Sequence, residues 1–547
     1  MVQTVHGHID DRIADTRPNT LDFDAIVVGA GFGGMYALHK LRKEGYRVRV
    51  LETAEDVGGT WYWNRYPGCR CDVESMQYSY SFSDELQQEW DWSERYSPQP
   101  EILAYARHVA DKFDLRRDIQ FRTQVKKAVF DEGNCCWILE TDDGSRITAR
   151  YFITAVGCLS TANMPDFEGL SDFEGNTYHT GRWPHEGVDF SGRRVGVIGT
   201  GSSGVQAIPI IAGQAKSLHV FQRTANFVTP AGNRPLQPEE RAEIKADYAN
   251  LRAMGRSRPT GFYFEYNDFS ALDIDDEERE RLFEKFWENG GLTFLGVFND
   301  LLINPESNEK AAEFVRNKIR ELVNDPEKAE LLAPRDIIGC KRLCANTGYF
   351  ETFNLAHVKL VDISKTTIAR LTEAGLVVGD KEYEFDDIVF ATGFDAMTGS
   401  LLKIDIRGAG GRRLADKWEH GPRTLMGLGV HGFPNMFTIT GPGSPSVFAN
   451  MILDVEQHVD WIAECLNHMR ASDKFRIEAT LAAEDAWVDH NRQMGEGSLR
   501  SQCKSWYLGS NIPGKPKVFS PYIGGFSVYD EKLKECSAEG FKGFVLT

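Results

Sequence analysis

Two glycine-rich stretches carry the residue types and spacing best suited to chemistry. The first sets Gly29, Gly31 and Gly34 directly after the apolar run FDAIVV, residues 23–28. The second sets Gly199, Gly201 and Gly204 after VGVI, residues 195–198, with Ser202 and Ser203 between its last two glycines. In each, a buried strand is predicted to enter a tight turn and then a helix, so that backbone N–H groups and the helix N-terminus face a pyrophosphate. The two stretches differ at the end of their next strand. The strand VRVLE closes on Glu52, a carboxylate suited to the hydroxyls of an unphosphorylated ribose, as in FAD or NAD. The strand LHVFQ runs instead into Arg223 and Thr224. An arginine there takes a 2′-phosphate in its fork, where an acid would repel it. The sequence therefore predicts FAD at the first site and NADPH at the second.

FAD beside NADPH supplies hydride transfer and leaves open what the reduced flavin reduces. Cys69 and Cys71 flank Arg70, and a single intervening residue would strain the bridge that a flavin disulfide reductase needs. Oxygen remains. An anionic oxygen species needs a cation that keeps its charge at any working pH, and arginine has that property.

Just ahead of the second glycine stretch, Phe173, Gly175, His179, Trp183 and Pro184 fit F-x-G-x-x-x-H-x-x-x-W-P. This pattern resembles the signature of the Baeyer–Villiger monooxygenases, flavoproteins that insert one oxygen atom beside a ketone carbonyl. The resemblance covers almost the whole chain from about residue 20, and its look is nearest to the branch that includes the phenylacetone and steroid monooxygenases. The loop GGTWYWNRYPGCRCDVES, residues 58–75, resembles that family's flavin loop, with Cys69 where most relatives carry alanine. On this resemblance Gly59, Thr60, Trp61, Tyr62, Trp63, Asp72, Tyr78, Val125 and Met451 are expected to hold FAD.

Lys341 and Arg342 match the family's Lys-Arg pair. The resemblance implies that Arg342 stabilises oxygenated anions, that Asp72 is its partner, and that Lys341 approaches the NADP phosphate. Trp506 matches the tryptophan that contacts the NADP ribose and amide. GPGSPSVFAN resembles the pocket loop and makes Ser446, Val447 and Phe448 the acceptor pocket. Phe448 stands where relatives often carry leucine, so a bulky or aromatic ketone is expected. His179 is expected to serve the linker between the two nucleotide folds as a hinge rather than as an acid. By this likeness NADPH reduces FAD, O2 adds at the flavin C4a, and the peroxide attacks a ketone. The tetrahedral adduct then rearranges to an ester or lactone. Two alternatives stay open: a flavin monooxygenase acting on nitrogen or sulfur, against which Trp183-Pro184 argues, and a non-catalytic NADPH or flavin sensor.

The elements that position these residues come from pattern. A chain of 547 residues is too long for one core, and about two to four domains are expected. The fold class is α/β, with two Rossmann-like dinucleotide-binding domains. The FAD domain is expected over 23–157 and 390–547, and the NADP domain over 158–229 and 334–389. A charged segment of helical period, 230–333, forms a helical insert, and 1–22 is an extension. GCKRLCANTGYFETFN, residues 339–354, is expected to return the chain to the sheet.

A net charge of −18 argues against nucleic acid and anionic membrane surfaces as partners. No apolar run reaches the length of a membrane helix, and the N-terminus lacks an apolar signal core, so a cytoplasmic protein is expected, as a monomer or weak homo-oligomer. Ten cysteines are scattered without disulfide or zinc spacing, and Cys69/Cys71 and Cys340/Cys344 are read as thiols, with no metal.

Overall fold

The computed structural model describes residues 21–547; most of the expected N-terminal extension lies outside them. The chain first lays down β1 (Phe23–Val28), β2 (Val48–Leu51), β3 (Ile119–Gln120), β4 (Val125–Asp131), β5 (Cys136–Thr141) and β6 (Arg146–Thr154). It then crosses to a second sheet through β7 (Asn176–His179), β8 (Arg194–Ile198) and β9 (Ser217–Gln222). A short β10 (Val228–Thr229) precedes a helical segment. After it come β11 (Cys344–Ala345), β12 (Val358–Asp362), β13 (Ile368–Leu371), β14 (Gly375–Val378), β15 (Lys381–Glu384) and β16 (Asp387–Phe390). Finally β17 (Asp405–Arg407) and β18 (Met436–Thr438) rejoin the first sheet.

The first sheet runs β17-β4-β5-β6-β1-β2-β3, with β18 also paired to β6. β1 lies parallel to both β2 and β6. Past Asp24 its apolar run, residues 25–28, is unbroken because both faces are covered. Ala25 and Val27 pack with Met35 and Leu38 of the helix Phe32–Lys43, while Ile26 and Val28 pack with Trp137 and Phe152 on the other face. Truncating a fully buried residue such as Leu38 to alanine would cost about 2–5 kcal/mol.

The second sheet runs β12-β9-β8-β16-β7, all parallel. Its edge is informative, since β7 is itself part of the F-x-G-x-x-x-H pattern. That stretch is built into the second sheet rather than lying ahead of it, with His179 paired to Phe390. The expectation for residues 339–354 needs correction. β11 joins only a two-stranded ribbon with β10, and the return to the main sheet waits for β12. Two residues of pairing are all that segment offers, because Tyr349–Thr352 turns helical.

Between β10 and β11 lie the helices Pro238–Ala246, Tyr248–Arg256, Asp276–Asn289, Pro305–Leu322 and Pro326–Leu332. Their charged runs are amphipathic. Asp276–Asn289 starts at Asp275, whose side chain accepts from the Glu278 N–H at 2.9 Å, and it buries Phe283, Phe286 and Trp287. Phe283 and Trp287 meet Phe294 and Phe314 in one aromatic cluster.

The chain crosses between the sheets twice, after β6 and after β16. The two crossings are tied to each other. Asn163 N–H donates to the Gly393 carbonyl at 2.9 Å, Asp395 N–H donates to that of Thr161 at 2.8 Å, and Ala162 and Phe394 form an antiparallel bridge.

The expectation of uniformly free thiols is also corrected. Cys340 is paired with Cys503 as a disulfide, their Cα atoms 6.2 Å apart. The two lie 163 residues apart, in no spaced motif, so their meeting is a tertiary event. The other eight cysteines are free among the described residues. Among those residues no helix is long and apolar enough to cross a membrane.

Candidate active site

A cavity of about 2160 Å³ opens where the two sheets face each other. Both glycine turns stand on its wall and repeat one geometry. Gly29 has φ +105° and Gly199 has φ +108°. A Cβ on either would press to 2.4 or 2.5 Å from a carbonyl just past a neighbouring strand, that of Ala155 or Ala391. Gly34 and Gly204 pack their helices so closely that a Cβ would collide with the carbonyl of Gly29 or Gly199. These four positions therefore accept only glycine; the Gly29 and Gly199 N–H groups are held by the Leu51 and Phe221 carbonyls, and the helix N-termini that follow present the donors for a phosphate.

Glu52 ends β2 beside the first cradle. Its carboxylate accepts from the N–H groups of Ala30 at 2.6 Å and Ala54 at 2.7 Å. Burial raises its pKa, and those backbone donors work against the rise. A carboxylate held in this way, with no cation, suits neutral hydroxyl donors such as those of a ribose. The first cradle thus fits FAD. The second is lined by Arg223 and Thr224, both exposed, and Arg223 makes no ion pair among the described residues. Lys341 also lines the cavity, but its ammonium is engaged by Asp336 at 2.6 Å. Arg335, which sequence reasoning missed, lines the same cavity, exposed and without an ion pair among the described residues. Unpaired guanidinium groups there fit a phosphorylated ribose.

Of the residues expected around FAD, Gly59, Thr60, Trp61, Trp63, Asp72, Tyr78, Val125 and Met451 line the cavity. Trp61 Nε1 donates to the Tyr78 hydroxyl at 3.2 Å, which fixes both rings. Tyr62 does not line the cavity. The short helix Thr60–Trp63 turns it away from the cavity, buried against Trp63 and His185, with Arg65 over its ring. Gln206, also missed, ties the flavin loop to the second fold. It accepts from the Tyr66 hydroxyl at 2.8 Å and donates to the Arg70 carbonyl at 3.1 Å. Its signal was available: a glutamine between Val205 and Ala207 on a helix otherwise apolar along its buried face.

Arg342 and Asp72 meet on the cavity wall. Arg342 Nε and Nη2 donate to the two carboxylate oxygens of Asp72, each at 2.8 Å, and Nη1 donates to the Val447 carbonyl at 2.7 Å. Burial works to lower the Arg342 pKa, and the Asp72 carboxylate more than offsets it, so the group stays cationic. A guanidinium has five N–H donors; three are committed here, which leaves one on each terminal nitrogen. Both side chains keep about a quarter of their surface accessible, 23% and 24%, and both line the cavity.

The acceptor loop is split. Val447 lines the cavity, whereas Ser446 is fully buried and does not, because its backbone at φ +46° turns it inward and its N–H donates to Asp454 at 3.1 Å. Phe448 is half-buried just behind the wall, against Tyr507 and Phe519. Trp506 lines the cavity with its ring 4.1 Å from that of Tyr507. Of the signature residues, Trp183 reaches the cavity, while Phe173, Gly175, His179 and Pro184 do not. Phe173 packs in the core of the second sheet. Cys69 and Cys71 are buried thiols; burial pushes Cys69 up to about 12 and raises Cys71 as well. Neither is a thiolate nucleophile at neutral pH.

Two dinucleotide cradles opening on one cavity, with a permanent cation between them, define a flavin oxidoreductase that uses a second nucleotide. A family model described as pyridine nucleotide-disulphide oxidoreductase matches residues 23–250. A Baeyer–Villiger monooxygenase of Pseudooceanicola batsensis is 43% identical over 97% of this chain and 97% of its own. A phenazine N-monooxygenase of Lysobacter antibioticus is 42% identical over 96% of this chain and 97% of its own. The solved structure of an oxidised steroid monooxygenase bound to NADP is similar at 52% identity and a TM-score of 0.92, covering 96% of this chain and 99% of that one. The chain belongs to the Baeyer–Villiger monooxygenase family. It is an FAD-dependent enzyme that uses NADPH and O2 to oxygenate ketones.

Proposed function

We propose that Arg342 is the cation at which this reaction proceeds and that Asp72 positions it. One observation carries the reading: a guanidinium with three donors fixed and two free, held cationic on the wall of the shared cavity. Bound FAD, reduced by NADPH, supplies the activated oxygen. Arg342 aims its remaining N–H groups at negative charge as it develops on substrate oxygen, where a preorganised donor has its greatest effect. Asp72 keeps the guanidinium from swinging, and the Val447 carbonyl fixes its third edge. Glu52 and the first cradle hold FAD. Arg223, Thr224, Arg335 and the second cradle hold NADPH, with Lys341 joining if Asp336 releases it. Trp506 and Trp183 close the cavity against water.

The acceptor is a bulky or aromatic ketone, supported by the aromatic group of Phe448, Tyr507 and Phe519 behind Val447. The phenazine N-monooxygenase relative favours a second reading, oxygenation of an aromatic nitrogen. Reducing the enzyme with NADPH without oxygen, then admitting O2 with either an aryl ketone or phenazine, separates the two. Ester from the ketone with no N-oxide from phenazine supports the first; the reverse overturns it. NADPH use supports a cytoplasmic enzyme. The net charge of −18 supports the absence of a nucleic-acid partner.

A further inference from the structure

A second guanidinium stands against the acceptor loop. Arg500, on the short turn Leu499–Gln502, has its guanidinium carbon 4.3 Å from the centroid of the Phe448 ring, and its Nε donates to the Gly339 carbonyl at 3.1 Å. Two arginines thus hold consecutive residues of the loop, Arg342 through the Val447 carbonyl and Arg500 through the Phe448 ring.

Their charge balance differs. Asp72 neutralises Arg342, whereas Arg500 makes no ion pair among the described residues. Its terminal nitrogens have no hydrogen bond there, and the side chain is half-buried rather than sealed. Burial pushes its pKa down, Tyr507 works against that fall, and the charge of Arg342 adds to it. A cation set partly out of water with no counter-ion is costly, and an anion brought to it relieves that cost. With Nε engaged, the edge formed by the two terminal nitrogens stays open, and a carboxylate accepts two parallel N–H bonds from such an edge.

The path from the cavity is apolar. Val447, Met451 and Trp506 line the cavity and belong to the same cluster as Phe448, Tyr507 and Phe519. Phe448 stacks on Phe519 with ring centroids 5.9 Å apart and planes at 11°, so its ring is held in place. Arg342 thus stands on the cavity wall, and Arg500 stands behind it against Phe448, with this apolar cluster between the cavity and Arg500.

We propose that Arg500 is a specificity-determining residue, giving the acceptor pocket a subsite for a carboxylate borne by the ketone at the end remote from its carbonyl. The proposal rests on the ketone-oxygenating reading. Arg342 serves the carbonyl end and Arg500 the distal end.

The test uses FAD-loaded enzyme with NADP⁺ and two acceptors, phenylacetone and its para-carboxylate. Calorimetry measures binding, and ester formation gives kcat/KM. Wild type should bind the carboxylate more tightly by about tenfold or more. Arg500→Gln should lower that preference by about tenfold to a hundredfold. In the same variant, phenylacetone binding and flavin reduction by NADPH should change less than about twofold. Arg500→Lys should keep an intermediate preference, because the charge remains without the fork. Equal binding of the two acceptors by wild type overturns the proposal, and needs no variant. So does an Arg500→Gln enzyme that keeps the preference, or one that loses both acceptors alike, which would make Arg500 a structural staple for Phe448. Selective carboxylate binding without ester would keep the subsite and sink the ketone reading.

Discussion

His179 and Thr392 join the signature strand to the turn that leads out of the second sheet. His179 Nε2 lies 3.2 Å from the Thr392 hydroxyl, which donates its own proton to the Asn163 carbonyl at 2.7 Å. His179 Nδ1 accepts from the Gly181 N–H at 2.9 Å. This network assigns a neutral ring with its proton on Nε2. Burial lowers the pKa of the group, with Arg182 adding to the effect. Both nitrogens are thus committed, and His179 has no lone pair or proton left for catalysis.

His179→Asn should therefore slow turnover without changing the shape of its pH dependence. Asparagine offers an acceptor and a donor on a shorter arm, so a modest loss is expected. Measuring kcat/KM against pH for both enzymes decides the matter. Disappearance of an inflection near the usual imidazole range in the variant would restore an acid–base role.

Arg342→Ala should separate reduction from oxygenation. NADPH should still reduce the enzyme, while ester formation falls about a hundredfold to a thousandfold, the cost of removing a donor at a developing oxyanion. Asp72→Ala should lose less, since the arginine stays but is no longer aimed. Product at the wild-type rate from Arg342→Ala would remove that residue from the chemistry.

Arg223→Ala should weaken NADPH by about tenfold to a hundredfold, the value of one charge-assisted contact, and leave NADH almost unchanged. Arg335→Ala should have the same sign. Kd values for both nucleotides with each variant provide the check. If NADPH and NADH lose equally, neither arginine holds the 2′-phosphate.

Asp454 supplies a pH prediction. It is fully buried; Oδ2 accepts from the Ser446 N–H, and Oδ1 has no hydrogen bond among the described residues, with His458 Nε2 3.8 Å away. Burial raises its pKa from the ordinary 3.8 to about 7. The folded state therefore binds this proton more tightly than the unfolded chain. The stability it contributes is present below about 3.8 and is lost as pH rises through about 7. Asp454→Asn keeps an acceptor and removes the charge. Its Tm should exceed that of wild type above neutral pH, with the gap closing as the pH falls toward the ordinary carboxylate range. A pH-independent difference would mean that Asp454 does not ionise in this range.

The parts read best from sequence are those whose cause is local. A continuous apolar run, a glycine turn and a helix start specify each cradle within a few residues, and β1, β2, β8 and β9 stand where the pattern placed them. Arg342 and Asp72 are 270 residues apart, and only the family resemblance linked them before the fold did. Arg335 and Arg500 were invisible for another reason. What sets them apart is a missing counter-ion, a property of the tertiary neighbourhood and not of the residue. Tyr62 and Ser446 do not line the cavity, because one helical turn and one left-handed residue decide which side chain faces it.

Two bodies joined by one strand can both swing and twist. Here two antiparallel crossings are laced together by the Asn163–Gly393 and Thr161–Asp395 hydrogen bonds. Twisting the bodies would shear that lacing, whereas bending across the ribbon leaves it whole. The same two bodies are also joined by Arg342 to Asp72, by Gln206 to Tyr66 and by Cys340 to Cys503, so the lacing is one of several ties between them.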